Sequence, residues 1–259
     1  MMDTSSTRSI QYEYPLNERV RTLLRLENLF AKVHYFREQA HPYEHHTALL
    51  TLFEILEVTS RADIKNDLLQ ELDRHKVSLA NLKNNPQVSE AALSQVLLEV
   101  EQAHQALHAT SGKAGQALRD NEWLTSIRSR ASIPGGTCEF DLPNYHAWLM
   151  HDAQARAHDL AGWVGTLSQF QRGLAVVLRL IRESASTREH VAQQGAFQMP
   201  LQGRTYALLQ VRVPREHGVI PETSANKYML WIRFTRPDSD MKARPVDQDI
   251  SFELALCAF

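Results

Sequence analysis

The sequence predicts an α+β protein: a mainly α-helical bundle domain with a small antiparallel β-sheet domain. Three observations carry that reading. Apolar residues recur at three- and four-residue steps from about Asn17 to Ser184, the spacing that lines one face of a helix. From Ser186 onward the apolar period drops to two, as on a half-buried strand. Near the other end, Ser9–Tyr14 also alternates, with Ile10, Tyr12 and Tyr14 on one face and Gln11 and Glu13 on the other. A strand with only helices beside it in sequence must find partners at the far end of the chain. The expected division is therefore a helical domain at 16–185 and a discontinuous strand domain at 5–15 and 186–259.

The helices follow in order. Asn17 is placed to cap the first, in which Val20, Leu23, Leu24, Phe30 and Val33 face the core. Arg21, Arg25, Asn28 and Lys32 recur on a different stripe, which reads as a solvated face or as a cationic rail for a partner. The second helix centres on Leu49, Leu52, Phe53 and Leu56. Asp63 caps the third, which carries Leu68, Leu72, Leu79 and Leu82 and stops at Asn84-Asn85-Pro86. The fourth starts at Ser89 and lines up Leu93, Val96, Leu97, Val100 and Leu107, an amphipathic stripe suited to a bundle or a dimer seam. Thr110–Gly115 is a small-residue loop, and a further helical stretch leads to Arg128-Ser129-Arg130.

A strong reset follows at Ser132–Leu149. Ile133-Pro134-Gly135-Gly136 asks for a type II turn, with proline presetting φ and glycine taking positive φ after it. Phe140-Asp141-Leu142-Pro143 then reads as a helix start, with Asp141 as cap and Pro143 in the first turn, ahead of His146 and Trp148. Asp152–Leu167 and Ser168–Ser184 form two more helices, the second burying Phe170, Leu174, Val177, Leu178 and Ile181. The strands Tyr206–Val213, Lys227–Thr235 and Ile250–Leu256, separated by turn-rich breaks, are expected to form an antiparallel meander.

Composition bounds the function. Hydrophobic residues make up 43% and charged residues 22%, the balance of an ordinary soluble globular protein. No apolar run approaches the roughly 18 residues needed to span a bilayer, and the N-terminus carries no apolar signal core. The expected compartment is the cytoplasm, which suits two widely separated cysteines, Cys138 and Cys257. The net charge of −2 argues against a nucleic-acid binder. Arginine nevertheless outnumbers lysine 21 to 7. Its planar fork matches carboxylates, so an acidic peptide is a compatible partner and an arginine-rich nucleic-acid adaptor the alternative; arginine codons in a GC-rich genome would give the same bias.

Catalytic patterns are missing from the sequence. Ser111-Gly112-Lys113 lacks the upstream glycine of a phosphate loop, Gly135-Gly136 opens no dinucleotide-binding unit, and no GxSxG elbow occurs. Of the twelve histidines, His104 and His108 stand one helical turn apart, and His41, Glu44, His45 and His46 cluster in an expected loop. Neither group adds a third zinc ligand at a recognisable spacing. His146 has no nucleophile paired with it, and its place beside Trp148 fits packing or a peptide-binding wall. The expectation is no enzyme, no cofactor and no metal.

Three separated motifs carry a family resemblance. The stretch Ser132-Ile133-Pro134-Gly135-Gly136 with Phe140-Asp141-Leu142-Pro143, His146, Trp148 and Leu149 is one. Tyr14-Pro15-Leu16-Asn17-Glu18 running into Arg21-Thr22-Leu23-Leu24-Arg25-Leu26-Glu27 is the second, and Leu68-Leu69-Gln70-Glu71-Leu72-Asp73-Arg74 the third. In this order and spacing, with the ending Ser251-Phe252-Glu253-Leu254-Ala255, the chain resembles the ZapD family over nearly its whole length.

That resemblance implies a non-enzymatic homodimer with a helical and a small β domain. It implies binding to the disordered C-terminal tail of the tubulin-like division protein FtsZ, cross-linking of its filaments, and a place in the cytoplasm at the mid-cell division ring. A preformed groove lined by Arg21, Arg25, Arg61, Arg128, Arg130 and Arg233 would take the tail, with His146 on its wall; no nucleic acid and no membrane are implied. The chain departs from the family pattern at Glu122, in the Tyr35–His46 segment and at Cys257-Ala258-Phe259, which bears on the charge of the groove.

Overall fold

The computed structural model describes residues 8–61, 63–83 and 85–258. The chain divides into two compact units, one of residues 22–178 and one of residues up to 21 together with those from 179 onward, the boundaries falling inside helices. Residues 5–7 of the expected strand domain, and Asn84 of the expected helix stop, lie outside the described residues.

The helical unit is built from α1 (Glu18–Arg37), α2 (Pro42–Arg61), α3 (Ile64–Ala80), α4 (Glu90–Ala109), α5 (Gln116–Arg119), α6 (Glu122–Ala131), α7 (Pro143–Leu149), α8 (Ala153–Gly165) and α9 (Ser168–Glu183). Most starts are set by a short polar side chain that accepts an otherwise orphaned amide. Asn17 Oδ1 accepts from Val20 N at 2.8 Å, Asn121 Oδ1 from Leu124 N at 3.0 Å and Asp152 Oδ1 from Ala155 N at 2.9 Å. Asp63 and Ser89 cap α3 and α4 in the same way. The core centres on α2, whose Ala48, Leu49, Leu52 and Ile55 are fully buried at three- and four-residue spacing. At Gly115, φ is positive and an added Cβ would collide with the Leu56 side chain, so backbone and packing both require glycine there.

Three expectations change in this unit. Glu44, His45 and His46 are not in a loop but in the first turns of α2. Pro42 opens that helix, where its missing N–H costs nothing, and Glu44 Oε2 accepts from His41 N at 3.0 Å. The third helix ends at Ala80, which leaves Leu82 exposed in the turn after it. Asp141 is not the cap of α7: Leu142 holds that position without a side-chain bond, and Pro143 alone marks the start.

The strand unit contains β1 (Ser9–Pro15), β2 (Ser186–Ala192), β3 (Ala196–Pro200), β4 (Leu208–Pro214), β5 (Ile220–Ala225), β6 (Met229–Pro237), β7 (Ala243–Pro245) and β8 (Ile250–Cys257). The N-terminal strand pairs antiparallel with the far end of the chain, Tyr12 opposite Val211. The expected meander is replaced by two sheets. One runs β1-β4-β8-β2; the other runs β3-β6-β5, with β7 also on β6. Alternation in the sequence tells which face of a strand is buried but not which strand lies beside it, so β6 went to the wrong neighbours. The two sheets bury a shared core that includes Val211, Val213, Ile232, Phe234, Phe252 and Leu254. Phe234 and Phe252 bring ring centroids from the two sheets to 5.1 Å.

Candidate functional site

In the helical unit, three of the expected site residues lie on either side of the α6–α7 junction: Arg128 and Arg130 near the end of α6 and His146 in α7. The Ile133–Gly136 turn closes with Gly136 N donating to Ile133 O at 2.9 Å, and Gly135 takes φ +71°. Ile133 N donates to Arg130 O at 2.9 Å, so the turn starts directly off the last turn of α6. Beneath it lies a pocket of about 320 Å³, walled by His46 and Leu50 of α2 and by Ala131, Ser132, Ile133, Pro134, Gly135 and Thr137. His46 Nδ1 and the hydroxyl of Tyr145, a residue only 1% exposed, are 2.6 Å apart. Burial pushes the Tyr145 phenol up and the His46 imidazole down, so a protonated phenol and a neutral ring share this bond.

Behind the pocket, Trp123 of α6, Tyr145 and Trp148 of α7 and Trp163 of α8 pack ring on ring, with centroids 5.4–6.1 Å apart. Trp148 Nε1 donates to Asp159 Oδ2 at 2.9 Å. This assembly sets the angle of α7 and hence of His146, whose Nε2 lies 3.6 Å from Glu139 Oε2.

The cations at this place differ from one another. Arg128 is half-buried and donates to Glu57 Oε2 of α2 at 2.6 Å. Arg130, two residues on, is exposed. Arg119, which the sequence reading passed over, lies close enough to Arg128 to feel its charge. It donates to Ala114 O at 2.6 Å, Leu56 O at 3.1 Å and Thr59 Oγ1 at 2.8 Å. Desolvation, then the charge of Arg128, hold its pKa below the ordinary guanidinium value. Arg119 stands alone in a short helix with no periodic partner, so no sequence signal marked it. Arg25 is exposed on α1, and Arg61 closes α2 with its side chain outside the described residues.

The other two expected residues belong to the strand unit. Arg21 pairs with Glu18 at 3.2 Å and lies 5.9 Å from the centroid of the Tyr14 ring. Arg233 projects from the outer face of β6, directly between Ala196 of β3 and Glu222 of β5. With Trp231, 39% exposed, it lines a cleft of about 1090 Å³ whose wall also carries Gln198, Glu222 and Asp249. Two carboxylates in that wall make it a mixed surface, as Glu57 and Glu139 do at the α6–α7 end.

Among the described residues no group of three histidine, cysteine, aspartate or glutamate side chains is arranged to hold a metal ion, and no helix is long and apolar enough to cross a membrane. Cys138 is exposed and Cys257 buried, both free; burial pushes the Cys257 thiol up to about 11.

Comparison with known proteins gives one consistent result. A family model described as ZapD, cell division protein, matches residues 24–233. Proteins named cell division protein ZapD from Ralstonia pickettii, Ralstonia nicotianae and Cupriavidus metallidurans are each 55% identical to it over 251 residues, 96% of this chain and 100% of the relative.

Proposed function

The chain belongs to the ZapD family of cell division proteins, and from that premise we propose that it binds the disordered C-terminal tail of FtsZ and, as a homodimer, cross-links FtsZ filaments. It does so without catalysis, in the cytoplasm at the mid-cell ring. The observation that carries this reading is the α6–α7 junction, where exposed Arg130 directly precedes Ala131 in the wall of a preformed pocket that His46, hydrogen-bonded to Tyr145, also lines. A tail that orders only on binding loses conformational entropy at that moment, so a rigid receiving surface limits the cost to one side. Arginine forks meet its carboxylates. Glu57 already neutralises Arg128 in part, so the tail competes with it and single-site affinity stays modest. Two sites per dimer then act through effective concentration along a polymer.

Arg25 and Arg61 are further candidates within the helical unit, and Arg21 and Arg233 are candidates within the strand unit. Sedimentation of FtsZ filaments with this protein is the test, comparing intact with tail-deleted FtsZ. Bundles should form only with the intact protein, and Arg25→Glu or Arg130→Glu should weaken tail binding about tenfold, roughly 1.4 kcal/mol. Equal bundling of tail-deleted FtsZ would overturn the proposal.

A further inference from the structure

We propose that the pocket under the Ile133–Gly136 turn is the seat of one apolar side chain of an acidic peptide, whose carboxylates lie on the arginines beside it. The inference rests on the tail-binding reading above and assigns it an anchor that the cationic residues do not supply.

The pocket's size points to a single side chain. At about 320 Å³ it stands at the lower end of the roughly 300–1,000 Å³ range of ligand sites. Its wall is mixed, and the apolar part is supplied by Leu50 from α2, Ala131 from the end of α6, and Ile133 and Pro134 from the turn. Ile133 is 49% exposed, and this turn is held open by Gly135 at positive φ and by the Gly136-to-Ile133 hydrogen bond rather than by packing over it. An apolar rim left facing water gains free energy when another apolar group covers it.

The polar edge selects a peptide. Tyr145 keeps its proton and is placed to donate to His46 Nδ1. His46 lines the pocket and so puts an imidazole at its edge, a group that can hydrogen-bond a peptide. Ser132 and Thr137 add hydroxyls at the rim. Charge selects an acidic one, because exposed Arg130 immediately precedes Ala131 in the wall; Arg128, one turn from Ser132, is already paired with Glu57. An apolar anchor also predicts how binding responds to salt: ionic contacts fade as ionic strength rises, whereas burial of an apolar side chain does not.

The experiment measures fluorescence anisotropy of a labelled FtsZ C-terminal tail peptide at low and high salt. It compares wild type, Arg130→Glu and Ala131→Phe, the last filling the pocket from its own wall. A parallel set of peptides replaces each apolar residue by serine in turn, which leaves the protein untouched. Arg130→Glu should weaken binding at low salt and lose most of that effect at high salt. Ala131→Phe should weaken it about tenfold or more at both. One serine peptide should reproduce that loss with wild type and lose nothing further with Ala131→Phe, because the two changes remove the same contact. If every serine peptide binds as the parent does, or if Ala131→Phe folds and binds as wild type while Arg130→Glu weakens, the pocket is not the anchor site although the tail reading stands. If wild type fails to bind the tail peptide at either salt, the tail reading itself falls and takes this inference with it.

Discussion

Arg156 is the side chain whose loss should cost the helical unit most. It is 3% exposed on α8, and it donates to neutral acceptors: Nε to His45 Nδ1 at 2.9 Å, Nη1 to Leu149 O at 3.0 Å and to His151 O, and Nη2 to Ala40 O at 2.7 Å. One guanidinium thus ties the end of α7, and with it the helix of His146, to the segment that opens α2. In Arg156→Met the four acceptors lose their donor. Ala40 and His151 are exposed residues and recover water, but His45 is 0% exposed and its Nδ1 has no route to solvent.

An orphaned buried acceptor costs about 1–3 kcal/mol, and the weaker losses at the three carbonyls add to it. Release of the guanidinium from its own desolvation offsets part, so the expected net destabilisation is about 3–4 kcal/mol. At roughly 2–4 °C per kcal/mol for a chain of this size, the melting temperature should fall by roughly 6–16 °C. Urea unfolding followed by tryptophan fluorescence in a Trp231→Phe background reads this unit alone, because Trp123, Trp148 and Trp163 all lie in it. Arg156→Met/His45→Leu should recover part of the loss, since replacing both partners removes the orphan. A single variant within about 1 kcal/mol of wild type would sink the argument.

Three further outcomes are expected. Burial holds His45, His46 and His75 below the ordinary imidazole range, with the Arg156 charge adding to the effect at His45. Their folded pKa values lie below the unfolded one, so their stabilisation is complete above about pH 6.5 and is lost as pH falls through the folded values. Thermal melts between neutral pH and pH ~5 should show that decline, and His75→Gln should make it shallower. In the strand unit, burial pushes the Glu13 carboxyl up, but hydrogen bonds from Arg182, 2.8 Å to each oxygen, and from Gln210 outweigh it and set its pKa below the usual value. Arg182→Leu should cost about 1–2 kcal/mol at neutral pH, and the difference from wild type should shrink in acid as Glu13 protonates. Deleting residues 1–14 removes the strand that covers β4, so hydrogen exchange of the Leu208–Pro214 amides should accelerate while the helical amides keep their protection.

Local chemistry carried much of the fold into the sequence. Asn17, Asp63, Ser89 and Asp152 announce helix starts because a short polar side chain can reach its own backbone amides without help from the rest of the molecule. The Ile133–Gly136 turn was legible for the same reason: proline and glycine restrict φ wherever they stand. A motif put Arg128 and Arg130 near the end of α6 and His146 in α7, whereas only the sheet register sets Arg233 opposite Glu222.

Other features needed the folded chain. Strands β2, β3, β5 and β7 are short, polar or at sheet edges, so no two-residue apolar alternation announced them. His45 and Arg156 are 111 positions apart; nothing near either residue in the chain says that the other will be its partner. Propensity, capping and period are properties of a few consecutive residues, and the sequence determined those. Which strand lies beside which, which arginine is buried, and whether a wall of residues encloses a pocket are decided by contacts between distant segments, and those exist only after tertiary packing has excluded water from between them.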